Sequence, residues 1–278
     1  MCEEGSIGDQ ELCSAINLLN ELIPKAELES LQPSASHTVY TTQVTLWMLT
    51  LQRLGGGKSL DEVVKDVVLG DREIFPENKR VKEETLSMSS GAYSGARKRL
   101  QLETTEHFAH RVCDSLIDLS APTFDGHRAF IIDGTTITLP PTPELREAFP
   151  PATNQHGETV WPVAMLMVAH ELQSGCALPP EIGAMYGDNK TSEAEQAKAI
   201  AQRIPPGDLV MADSGFGIFG VAYSPIYSGH PILLRMTKAR FKSLRRKATL
   251  IEEWEERRTY QAQWTPSAKD RQSHPELP

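Results

Sequence analysis

The sequence predicts an α/β fold, a mixed sheet with flanking helices, preceded by a helical N-terminal region. Three observations carry that expectation. Apolar residues in the first part of the chain recur at helical spacing. After Pro122 the pattern changes to short β-rich runs. From Ser192 onward, helix-like and strand-like segments alternate, which suits helices packed on a sheet.

Taken in order, Val44, Trp47, Met48 and Leu51 fall at i, i+3, i+4 and i+7, one face of a helix that Gly55-Gly56-Gly57 ends. Ser59 and Glu62 form a capping-box pattern ahead of Leu60, Val63, Val64, Val67 and Val68, and Gly70 stops that second helix. The polar, charged run from Asp71 to Gly91 is expected to be a loop. A further helix is expected around Thr104–Ile117, with Ala109, Val112, Cys113 and Leu116 on one face. Ala121-Pro122 closes this region.

Arg128–Ile132 and Thr135–Leu139 are short β-rich runs on either side of Asp133-Gly134. Asp-Gly between apolar runs is a strong hairpin signal. Asp133 is therefore open to two readings, a turn residue or a carboxylate placed for chemistry. Pro162–Glu171 is apolar enough for a buried strand, with Cys176–Met185 as its pairing partner. Ser192 and Glu195 repeat the capping box, and Ala197, Ile200, Ala201 and Ile204 give that helix its stripe, ended before Pro205-Pro206-Gly207. A buried strand over Asp208–Ala212, a helix over Phe216–Tyr227 and a strand over Pro231–Met236 follow. The expected division is a helical region over 1–122, a candidate for DNA binding, then a sheet-bearing core over 123–243 and a tail over 244–278.

At 278 residues and 40% hydrophobic, the chain can bury a core. Its formal charge of −9 argues against a simple basic nucleic-acid-binding module. Cys2, Cys13, Cys113 and Cys176 form no Cys-x-x-Cys pair and suit no zinc ribbon, so reduced thiols in a cytoplasmic protein are expected. The N-terminus "MCEEGSIGDQ" is acidic and lacks the apolar core of a signal peptide. The longest apolar run, "WPVAMLMVA" from Trp161, is too short to cross a bilayer as a helix, so no membrane partner is expected.

Positive charge is concentrated in two blocks. Arg97, Lys98 and Arg99 form one; Arg235, Lys238, Arg240, Lys242, Arg245, Arg246 and Lys247 form the other. Such blocks suit phosphate contacts with DNA; the plainer alternative is a solvated face whose Lys stems cover apolar neighbours. The acidic cluster Glu252, Glu253, Glu255 and Glu256 is expected to be a solvated face. Trp47, Trp161 and Trp254 are expected to be packing residues, and Cys113 a small core residue. His170 is expected to be a hydrogen-bonded sheet residue. Trp264 has an aromatic face that could stack on a base.

Asp133 and Asp213 each lie at or just past the end of a strand-like run and are followed by small residues. In open sheets with parallel strands, functional residues gather at the carboxyl ends of the strands. Two such carboxylates suit a pair of Mg²⁺ ions, which favour oxygen ligands and flank a phosphodiester in two-metal chemistry.

The blocks "FIIDGTTITLP", "GDNKTSEAEQAKAIAQRIPPGDLVMADSGFG" and "HPILLRMTKARFK", with "GAYSGARKRL" before them, resemble the IS4-type DDE transposases of bacterial insertion sequences. The resemblance covers roughly Ser89 to Lys242. It implies an RNase H-like mixed sheet for the core over 123–243. It assigns the family's first two catalytic carboxylates to Asp133 and Asp213, with Mg²⁺ or Mn²⁺ as cofactor. It also implies double-stranded DNA, transposon ends and target, as partner, and a DNA-associated cytoplasmic protein. A homodimer or a pairing with full-length transposase is a further partner expectation.

The chain departs from the family at the third carboxylate, a Glu in a Tyr-x-x-Arg-x-x-x-Glu-x-x-x-x-x-x-Lys signature. Tyr260 is the only tyrosine after Lys238, and Gln263, Ser267 and His274 stand where the Arg, Glu and Lys belong. The expectation is an incomplete, weakly active or inactive transposase whose residues 244–278 begin a β-rich insertion or are disordered. The alternatives are a non-catalytic DNA-binding or transposase-interacting remnant, and a metal-dependent nuclease of the same fold.

Overall fold

The computed structural model of the chain describes residues 17–54, 56–70, 74–155, 157–273 and 277. Cys2, Cys13 and His274 lie outside them. The chain divides into two compact units, Met1–Ser115 and Leu116–Pro278.

The first unit is helical. Helices α1 (Lys25–Leu31), α2 (Thr42–Leu54), α3 (Leu60–Leu69), α4 (Lys79–Lys82) and α5 (Gly91–Arg99) are followed by α6 (Leu102–Leu119), which runs across the unit boundary. Val44, Trp47, Met48 and Leu51 of α2 meet Val63, Val64, Val67 and Val68 of α3 in one buried cluster. Ser59 and Glu62 form both halves of the expected capping box on α3. The segment 71–91 is not purely a loop. Ile74 and Phe75 enter the core, and Asn78 caps α4 by accepting a hydrogen bond from the Val81 N–H. The face expected for α6 holds at Val112, Cys113 and Leu116, which are half-buried, and fails at Ala109. Thr104, Phe108 and Ile117 are buried and Val112 is half-buried, whereas Ala109 is exposed. A phenylalanine ring gains far more from burial than an alanine methyl, so Phe108 sets the rotation of the helix.

The second unit is built on a five-stranded mixed sheet. Its strands are β1 (Ala129–Thr138), β4 (Val163–Glu171), β5 (Glu181–Ala184), β6 (Leu209–Ala212) and β7 (Ile232–Leu234), in the order β5-β4-β1-β6-β7. β4 is antiparallel to both β1 and β5, while β6 is parallel to β1 and β7 parallel to β6. A short helix α7 (Pro143–Ala148) and the two-residue strands β2 (Thr153–Asn154) and β3 (Gly157–Glu158) precede β4. Helices α8 (Glu193–Ala201) and α9 (Phe219–Tyr227) join β5 to β6 and β6 to β7. After β7 come α10 (Lys238–Arg245), the hairpin β8 (Thr249–Trp254) and β9 (Arg257–Gln261), and α11 (Ala268–Ser273).

The two runs on either side of Asp133-Gly134 are one continuous strand. Asp133 stands opposite Val168 and Gly134 opposite Met167 in the β1–β4 ladder. Gly134 is not among the glycines with positive φ, so no hairpin turn forms there.

The sheet has two unlike faces. Phe130, Ile132, Met167, Ala169 and Val210 pack with Ala197 and Ile200 of α8, and α8 crosses β4, β1 and β5. The other face carries Ile131, Asp133 and Thr135 on β1 and, by register, Leu166, Val168 and His170 on β4, Ile182 on β5, Met211 on β6 and Leu233 on β7. That face is open: Ile182 is 57% and Leu233 51% exposed. Trp161 and Trp254, expected to pack, are 54% and 59% exposed. Both sit outside the five-stranded sheet, and Trp254 lies under the Arg257 guanidinium, 5.6 Å from its ring centre. The acidic cluster is solvated as expected, with Glu255 at the β8–β9 turn in the left-handed region, φ 51°.

Candidate catalytic carboxylates and basic surfaces

β1 presents Asp133 on the open face of the sheet, because alternation puts the buried Ile132 on the other. Its Oδ1 accepts the N–H of Gly134 at 2.8 Å. Asp213 follows β6 directly and forms a tight side-chain turn, its Oδ1 accepting the N–H of Gly215 at 2.7 Å. A Cβ on Gly215 would lie 3.0 Å from that same oxygen, so glycine lets the turn close. The other oxygen, Oδ2, has no hydrogen-bond partner among the described residues for either Asp.

Both lie beyond the same end of the β1–β6 ladder: the parallel pairing ends at Ile131 and Met211, Asp133 stands two residues further along β1, and Asp213 comes just past the end of β6. Continuing across β6–β7, where Ala212 stands opposite Leu234, sets Arg235 level with Asp213.

Gly134 is explained by packing on the covered face. A Cβ there would lie 3.2 Å from Glu193 Oε1 and 3.3 Å from Met167 Cε, so the start of α8 leans over it. Sequence reasoning did not single out Glu193. Its position at the start of α8 was legible from the capping box, but its approach to Gly134, 59 positions away, leaves no local signal. Glu193 lies on the side opposite Asp133 and does not join it. Among the described residues, no group of three or more His, Cys, Asp or Glu side chains is placed to hold a metal ion.

The second basic block is a structured surface. Thr237 caps α10, a helix with no buried residue, which carries Lys238, Arg240, Lys242 and Arg245. Arg240 donates through Nη1 to the carbonyl of Gly217, in the loop that follows Asp213. The same guanidinium lies 5.9 Å from the Trp264 ring centre, and Arg245 lies 5.2 Å from that of Tyr260. Phe219, Arg240, Lys247, Trp264 and Lys269 line a cavity of about 630 Å³ beside α10. Arg240 therefore ties the basic helix to the loop of the second carboxylate. Arg235 is exposed at the end of β7, with its N–H donated to Ala212 O at 3.2 Å.

The first block ends α5 in the other unit. Arg97 lies 5.8 Å from the centre of the Tyr93 ring, and Lys98 and Arg99 are exposed. Three cations in the last turn also complement the helix dipole. His170 is exposed, with Nδ1 3.4 Å from Gly175 O. Among the described residues no helix is long and apolar enough to cross a membrane. No protein-family model matches the chain, and neither does any curated protein.

Proposed function

We propose that the chain is an IS4-type DDE transposase protein with an RNase H-like core, in which Asp133 and Asp213 form a divalent-cation site for DNA phosphoryl transfer. One observation supports the reading: Asp133 stands on the open face of β1, and Asp213 follows directly on β6, the strand parallel to β1. A mixed five-stranded sheet with flanking helices is compatible with it. Asp133 and Asp213 would hold Mg²⁺ or Mn²⁺, which when bound activates the attacking oxygen and offsets charge on the phosphate. The chain's own part is positioning. The Gly134 and Gly215 amides each hold one oxygen of a carboxylate. Arg235, Lys238, Arg240 and Lys242 supply phosphate contacts beside the Asp213 loop, and Arg97, Lys98 and Arg99 supply others.

A second reading, a DNA-binding remnant without catalysis, is favoured because no group of three or more metal-ligating side chains occurs among the described residues. Nicking of supercoiled plasmid by the purified chain in Mg²⁺ or Mn²⁺ separates the two. The first reading expects slow, metal-dependent nicking that Asp133→Ala and Asp213→Ala each abolish. Nicking that survives Asp133→Ala removes Asp133 from the mechanism. Salt-sensitive duplex binding with no nicking in either metal selects the second reading, and no salt-sensitive binding counts against both.

A further inference from the structure

The helical unit contains a cavity of about 590 Å³, bordered by the loop between α1 and α2 and by α4 and α5. Lys79, Arg80 and Arg99 stand on its wall, and no Asp or Glu lines it. The chain as a whole is acidic, at −9, so three cations around one acid-free cavity are a local inversion of its charge. Like charges that share a cavity raise its potential and favour an anion inside it. Lys79 has one carboxylate contact, Glu83 Oε1 at 3.8 Å, between exposed side chains, and such pairs are weak.

Two further features point to an oxygen-rich ligand. Asn78 uses its Oδ1 to accept the Val81 N–H, and its Nδ2 is buried with no acceptor. It is one of five buried side-chain polar atoms without a partner among the described residues, the others on Trp47, Tyr93, Thr191 and Gln196, and the only one of them on a residue that lines this cavity. Tyr40 lines the same cavity, and burial raises its phenol above the usual tyrosine range, which keeps it a neutral donor. The volume lies within the range of small-molecule pockets and accommodates a nucleotide-sized group.

We propose that this cavity binds a phosphate ester, held by Lys79, Arg80 and Arg99. The phosphate can belong to a nucleic-acid backbone or to a free phosphorylated molecule of nucleotide size. The site lies in the helical unit and does not depend on Asp133 or Asp213.

The test uses the full chain and two probes, a fluorescein-labelled 30-base-pair duplex and adenosine monophosphate. Lys79→Gln/Arg80→Gln is compared with Lys82→Gln, a cation on α4 that does not line the cavity. If the backbone is the source, the double variant weakens duplex binding roughly tenfold. It also lowers the slope of log K against log salt by about 1.8, while Lys82→Gln changes either by much less. If a free phosphate is the source, the double variant loses adenosine monophosphate binding and leaves the duplex unaffected. Should the double variant bind both probes as Lys82→Gln does, the proposal is overturned. Arg99→Gln repeats the comparison from another element in case the double variant fails to fold. Asp133→Ala retains this binding whichever way the nicking assay falls, so the two readings fail separately.

Discussion

Glu171 closes β4 with its carboxylate fully enclosed. Burial alone would raise its pKa, but the N–H groups of Ser174 at 2.6 Å and Gln173 at 3.1 Å and the Ser120 hydroxyl at 3.2 Å all donate to it. Together they hold it below the ordinary value of 4.5. Ser120 is itself held by Arg128, whose Nη1 donates to both its carbonyl and its hydroxyl at 2.8 Å. A carboxyl whose pKa is lower folded than unfolded contributes stability above the unfolded value. That contribution is lost as pH falls through the folded value. Urea midpoints measured from pH 6 down to pH 3 are therefore expected to fall, and Glu171→Gln is expected to flatten the decline below pH 4.5. An unchanged slope in that variant would show that Glu171 is not linked to acid unfolding. Gly134 acts at the same scale: because its missing side chain admits Glu193 and Met167, β1 runs straight through to place Asp133 on the open face.

At the scale of elements, α8 does the most for the site, because it covers β4, β1 and β5 and so fixes which face is left open. Its start depends on the reciprocal bonds between Ser192 and Glu195, with Glu195 Oε2 accepting from the Ser192 N–H at 2.9 Å. Ser192→Ala removes the side-chain half and is expected to cost about 1 kcal/mol by urea unfolding, with Asp133 still on its strand. A loss under 0.3 kcal/mol would show that packing of Ala197 and Ile200 alone holds the helix. This cap and its apolar stripe were legible in the sequence because both are local patterns, as were α3 and the strands β4, β5, β6 and β7. The continuity of β1 was not. Asp133-Gly134 carries a turn signal within a few residues, and what overrides it is the ladder to Val168 and Met167 and the approach of Glu193, all distant in sequence. The face of α6 was misjudged at Ala109, which spacing selected, while ring size selected Phe108. Both carboxylates were named from the sequence, yet that they follow the same end of one parallel ladder is known only from the β1–β6 pairing. The phosphate cavity was half visible, since Arg99 was named, but Lys79 and Arg80 join it through tertiary contact.

For the molecule as a whole, the open sheet face sets the behaviour to expect in solution. Ile131, Leu166, Val168, Ile182, Met211 and Leu233 form an apolar field across five strands, interrupted by Asp133 and His170. Contiguous apolar surface beyond a few hundred Å² on a soluble chain generally marks a contact. Both edges, β5 and β7, are short, which limits strand-to-strand pairing and makes face-to-face burial the more favourable mode. Burying a side chain such as Ile182 or Leu233 contributes roughly 1.5–3 kcal/mol. Replacing both by Lys should thus weaken self-association by at least tenfold. Sedimentation velocity of the wild-type chain is expected to show concentration-dependent association that strengthens with added salt, because apolar burial drives it and repulsion between chains of charge −9 opposes it. Ile182→Lys/Leu233→Lys is expected to sediment as a single monomeric species. Association that weakens with salt, or that the double variant leaves intact, would assign it to charged surfaces instead. The same experiment bears on the carboxylates. If the proposed nicking activity is present, a contact that covers this face also covers Asp133, so nicking and self-association are expected to compete, with specific activity falling as protein concentration rises.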